Sequence, residues 1–72
     1  MNDNIKLLDA VTLLHDRTDR GLVKGQVGTV VEILDKGVYE VEFSDDEGKT
    51  YAMLALNAEE LMALHYSPLS PV

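Results

Sequence analysis

Five carboxylates, Glu40, Glu42, Asp45, Asp46 and Glu47, fall within eight residues of this chain. Such a run could hold calcium, but an EF-hand loop spreads alternating ligands over about twelve positions and ends on a bidentate Glu. Here the acids crowd a short turn, from which adjacent side chains diverge. An acidic, solvated hairpin that guards a strand edge is the expectation, and a cation held at 40–47 is the competing one. His15 and His65 are the only imidazoles. With a carboxylate they could build a metal-assisted hydrolase if the first and last strands are neighbours, although a catalytic zinc site needs three protein ligands. Ser44, Ser67 and Ser70 stand in no nucleophile-elbow context. Metal-assisted hydrolysis therefore ranks third among the readings, and the expectation is a non-enzyme without a cofactor.

Two further groupings suggest phosphate chemistry. Gly21, Gly25 and Gly28 precede an apolar run, as phosphate-cradling glycines do. A P-loop, however, needs GxxxxGK[ST] between a strand and a helix, so that helix N-terminal amides face the anion. No Lys-Ser/Thr pair follows Gly28, and the next element reads as a strand. The glycines are expected to bend and turn a small sheet. Arg17, Arg20 and Lys24 make up half of the six basic residues and could grip a phosphate or a partner's acidic surface. Asp16 and Asp19 sit among them, and mixed-sign loops are usually solvated. The formal charge of −7, from 13 acids against 6 bases, opposes polyanions at long range. The few aromatics, Tyr39, Phe43, Tyr51 and Tyr66, offer no exposed stacking platform.

Elements to carry these residues follow from periodicity. Seventy-two residues give one small domain, read as 1–66 with an extended tail over 67–72. A hydrophobic content of 46% supports a modest core, and the absence of cysteine removes disulfides and thiolate sites. Val38-Tyr39-Glu40-Val41-Glu42-Phe43 alternates with a period of 2, which puts Tyr39, Val41 and Phe43 in the core and Glu40 and Glu42 toward solvent. Val11 to His15, Gln26 to Leu34 and Lys49 to Leu56 read as further strands, with tight reversals at Asp35-Lys36-Gly37 and Ser44 to Gly48. Asp16 to Gly21 is an exposed loop. Asn57 and Glu60 have capping-box spacing, so one helical turn should lead into a last strand, Leu61 to Tyr66. The expected fold is all-β, a small five-stranded SH3-like barrel with one helical turn before the last strand. A meander with Ile5 to Leu14 helical is the alternative.

The pattern as a whole resembles a known family. Asp9-Ala-Val-Thr-Leu-Leu, Arg20-Gly-Leu-Val-Lys-Gly-Gln-Val-Gly-Thr-Val-Val-Glu, Val38-Tyr-Glu-Val-Glu-Phe, Asp46-Glu-Gly-Lys-Thr-Tyr and Leu56…Leu61…Leu64 are similar to a group of small bacterial proteins known as domain of unknown function 4926. The resemblance runs from about Ile5 to Tyr66 and implies no catalytic motif. More distantly, the glycine loop feeding a Gly-x-Val-Val strand looks like the barrels of the nitrile hydratase β subunit and of photosynthetic electron-transport accessory subunits. Those barrels imply docking onto larger proteins, and short stand-alone members suit a small partner such as the toxin of a two-gene pair.

The functional expectation is a non-enzymatic module that binds another protein and neutralises or stabilises it. Met62, Leu64, Tyr66 and Leu69 should leave an apolar patch, since a short last strand can bury only one face. With no partner present, a homodimer is the expected form. The second reading is a nucleic-acid-associated barrel using Arg17, Arg20 and Lys24, which the net charge disfavours. No basic n-region or apolar run of about 20 residues marks a secretory or membrane segment, so a cytoplasmic location is expected.

Overall fold

The structure, a computed structural model, describes residues 5–65. It is all-β: five antiparallel strands in one sheet, with short 3-10 turns as the remaining regular structure among the described residues. The strands are β1 (Ala10–Leu13), β2 (Val27–Asp35), β3 (Val38–Ser44), β4 (Thr50–Asn57) and β5 (Leu61–Ala63), and 3-10 turns span Thr18–Arg20 and Ala58–Glu60. The order across the sheet is β4-β3-β2-β1-β5. This is the arrangement the barrel reading needs, with the first strand between the second and the last. Residues 5–14, the helix of the alternative reading, form a turn and β1 instead.

Alternation decides which residues go inside. Tyr39, Val41 and Phe43 are buried on β3, and they meet Val30 of β2, Leu54 and Leu56 of β4, Val11 and Leu13 of β1 and Leu61 of β5 in a single core. Strands from both ends of the sheet share that core, so the sheet curls around it. The curl is concentrated in β2, which pairs with β1 over Val27 to Thr29 and with β3 from Thr29 onward. Register shifts between Val30 and Glu32 and between Ile33 and Asp35 insert extra residues there, and such bulges increase twist and bend a strand. Gly28 lies where β2 runs close against the neighbouring β3. A Cβ built on it would stand 2.7 Å from Val41 Cγ1 and 2.9 Å from the Glu42 carbonyl oxygen. The three glycines of the opening loop and strand therefore have separate roles, with Gly21 and Gly25 at positive φ and Gly28 chosen for lack of bulk.

Three expectations are corrected. Glu40 and Glu42 point away from the core but are half-buried rather than fully solvated. β1 stops at Leu13 instead of His15, although the Leu14 N–H still donates to the Glu60 carbonyl at 2.9 Å in the register of the β1–β5 pair. β5 ends at Ala63 instead of Tyr66, because its partner offers little edge. β1 begins only at Ala10, and the Leu64 N–H bonds to the carbonyl of that residue at 2.9 Å. The start of β1 is set in turn by a tight turn at Lys6 to Asp9, closed by the Asp9 N–H on the Lys6 carbonyl at 3.0 Å. Within it Leu8 takes φ 71, uncommon for a side chain of its size, and donates its N–H to the Val30 carbonyl at 2.7 Å. The loop from Asp16 to Gly21 is largely exposed, as expected, and holds a 3-10 turn, pinned by the reciprocal Arg17 and Leu22 backbone bonds of 2.8 and 3.0 Å. That pairing carries Leu22 into the core.

Candidate functional site

The acidic hairpin is built by its own carboxylate. Asp45 Oδ1 accepts the Glu47 and Lys49 N–H groups, each at 2.9 Å, as Asp does at turns. Glu42 Oε2 accepts the Thr50 hydroxyl at 2.7 Å. Two of the five acids are thus engaged in holding the β3–β4 connection. Among the described residues no group of three His, Cys, Asp or Glu is placed to hold a metal ion. His15 and His65 follow β1 and β5, which are neighbours as the metal reading required. Their register, Val11 opposite Ala63 and Leu13 opposite Leu61, is antiparallel. It carries His15 toward the Glu59 end of the pair and His65 toward the Asp9 end.

The three bases do not form a patch. Arg17 lies between two carboxylates, with Nε 3.2 Å from Asp19 Oδ1, Nη2 3.2 Å from Asp19 Oδ2 and Nη1 3.2 Å from Glu60 Oε1. The hydrogen bond that Arg17 donates to Asp19 is the main reason that the guanidinium is held above its ordinary range, and the same bond holds the Asp19 carboxyl below the ordinary carboxylate range. Glu60 also accepts the Asn57 N–H through Oε2 at 2.9 Å, the reach-back of the expected capping box. One side chain therefore caps the second 3-10 turn and fastens the first loop to it. Arg20 donates from Nη2 to the Met53 carbonyl of β4 at 3.1 Å. At Lys24 it is the backbone N–H that is engaged, with Asp16 Oδ1 at 2.8 Å.

Of the expected apolar patch, Met62 is exposed and Leu64 half-buried, while Tyr66 and Leu69 lie outside the described residues. Met62 sits opposite Thr12, and Thr12 sits opposite Val27. This gives a short row on the outer face, with Met62 and Val27 each about half exposed.

Two features escaped the sequence reading. The first is a pair of rows across the outer face of β2, β3 and β4: Glu32, Glu40 and Ala55 in one, and Thr29, Glu42 and Met53 in the other. Glu32 and Glu40 are directly opposed like charges, and among the described residues neither is in an ion pair. The second is the free edge of β4. The nine residues from Thr50 to Ala58 carry no charge, and that interruption in so acidic a chain was the available signal. Tyr51 and Met53 are 47% and 43% exposed there. No helix among the described residues is long and apolar enough to cross a membrane.

Comparison with known proteins gives one result. The family described as Domain of unknown function (DUF4926) matches residues 7–63. The chain belongs to this family. No curated protein matches, and no solved structure matches. The matched span in this DUF4926 member runs from the turn before β1 through the whole of β5. It therefore takes in both acidic rows and the β4 edge.

Proposed function

We propose that this DUF4926 domain is a non-enzymatic protein-binding module that selects a basic partner protein, in the manner of an acidic chain that neutralises or stabilises another small protein. The observation that carries this reading is the cross-strand Glu32–Glu40 pair with Glu42 beside it, bordered by Met53 and Ala55. Directly opposed like charges destabilise a sheet, and a fold that needed only solubility could place them apart. A basic surface laid over these rows would turn that repulsion into attraction and speed encounter. The nucleic-acid reading gains no comparable support, because Arg17 is neutralised by Asp19 and Glu60.

The test is affinity capture from the native host with the full chain, beside a Glu32→Lys/Glu40→Lys/Glu42→Lys variant shown to be folded. The expected result is a basic protein in fixed stoichiometry with the native chain, released by raised salt and absent from the variant. Equal capture by both chains would refute the reading.

A further inference from the structure

The edge of β4 is open at its centre and closed on either side. Residues two apart in a strand turn their backbone groups to the same side. The Met53 carbonyl is taken by Arg20, and the Asn57 N–H by Glu60. Both partners lie away from β3, which fixes the phase of the strand. Ala55, midway between them, therefore presents its N–H and C=O outward, and among the described residues neither has a hydrogen-bond partner. Native sheets usually blunt such an edge with a charge, a proline or a bulge. Here the side chains of the window, Met53, Ala55 and Asn57, include none of the first two.

From this we infer that the β4 edge at Ala55 receives an extended, basic segment of a partner protein as an added strand. The inference deepens the protein-binding reading and rests on it. An incoming residue opposite Ala55 can exchange two backbone hydrogen bonds with it, and its side chain on the outer face extends the row that holds Ala55, Glu40 and Glu32. Strands lie about 4.8 Å apart, so Glu40 stands two strand spacings from that position. A Lys or Arg there can reach it because Ala55 contributes only a methyl group between them. Charge also decides between occupants. A second copy of this chain would bring another −7 and another set of the same glutamates to the edge. A segment alternating basic and apolar residues would instead place cations over the acids and its apolar side chains on the opposite face. Arg20 and Glu60, by occupying the groups on either side, set the register.

The probe is a synthetic peptide of about eight residues alternating Lys and Val, with a Glu–Val peptide as control, titrated into the isotope-labelled full chain by NMR. The expected result is that the Met53 and Ala55 amides shift, that hydrogen exchange at Ala55 slows, and that the Glu–Val peptide does neither. Ala55→Pro removes an N–H that β3 does not use, so it should fold and weaken the peptide about tenfold. The slowed exchange in the native chain tests the same point without a variant. Shifts centred on Met62 and Val27, or equal affinity in Ala55→Pro, would overturn the inference. So would an Ala55 amide already protected without peptide, which would mean a second copy if protection rises with concentration and this chain's own C-terminal segment if it does not. If Ala55 stays unprotected by peptide while charge reversal still abolishes capture, strand addition falls and protein binding stands. If capture is also unaffected by charge reversal, both fall.

Discussion

Gly28 and Gly37 are both required by the fold, for opposite reasons, and substitution should separate them. Gly37 has φ +74 with nothing within 4 Å of a built Cβ. Its replacement by Ala costs only the left-handed conformation, about 1–2 kcal/mol, and Asn should recover part of that because it tolerates the region. Gly28 has no such φ, and its obstacle is bulk: Val41 Cγ1 at 2.7 Å, the Glu42 carbonyl oxygen at 2.9 Å and Phe43 Cδ2 at 3.0 Å from a built Cβ. Two of these three belong to side chains at the fully buried centre of the core, and the third is backbone, so none can swing clear. Overpacking of this kind costs roughly 1–3 kcal/mol. The lowered chain entropy of Ala relative to Gly returns about 0.4–1 kcal/mol. The middle of these two ranges gives a net of about 1.3 kcal/mol for Gly28→Ala, or a fall of about 5–10 °C in melting temperature for a domain this small. Gly28→Val should remove most of the few kcal/mol that an unstapled domain of this size holds. Urea melts read by circular dichroism supply the test. The expected order is Val worse than Ala at 28, with Asn better than Ala at 37 and worse than Ala at 28. Gly28→Ala as stable as the native chain would refute the close-approach reasoning.

Val41 is fully buried, so Val41→Asp should unfold the domain, since an unpaired buried carboxylate costs several kcal/mol; a retained cooperative melt would remove β3 from the core. Glu60→Ala loses both the cap on Asn57 and the Arg17 pair, for about 1 kcal/mol in a urea melt, and Glu60→Gln should retain the cap and lose less. The folded-state pKa of Asp19 is depressed by Arg17, so its contribution is fully present above the unfolded carboxylate pKa and is lost as pH falls through the lower folded value. Acid titration of stability should therefore lose part of its slope below the ordinary carboxylate range in Asp19→Asn.

Much of the fold could be read from local pattern. The alternation in Tyr39, Val41 and Phe43 placed β3, and the spacing of Asn57 to Glu60 placed the second 3-10 turn. What escaped depended on partners distant in sequence. β5 is short because β1 is short, and β1 is short because the chain turns at Lys6 to Asp9. Arg17 stands near Asp16 and Asp19 in sequence, but its second carboxylate, Glu60, lies 43 residues away. Leu22 sits in a loop by composition but is 1% exposed, because its backbone pairing with Arg17 folds it inward. For the site, sequence directed attention to the last strand, where Met62 is indeed exposed. It did not show that Glu32 faces Glu40, since that register depends on bulges in β2.

The uncharged run from Thr50 to Ala58 and the acidic rows beside it fit together physically. A bare edge strand invites pairing with any extended chain, including another copy. Charge on the edge itself would prevent this but would also close it to a partner. Glutamates one and two strands inward, at Glu40 and Glu32, leave the backbone of Ala55 open while repelling any second chain that carries the same acids. On the proposed reading, the like-charge opposition across β2 and β3 has a use that solubility alone does not require: it restricts an otherwise permissive edge to segments that bring positive charge.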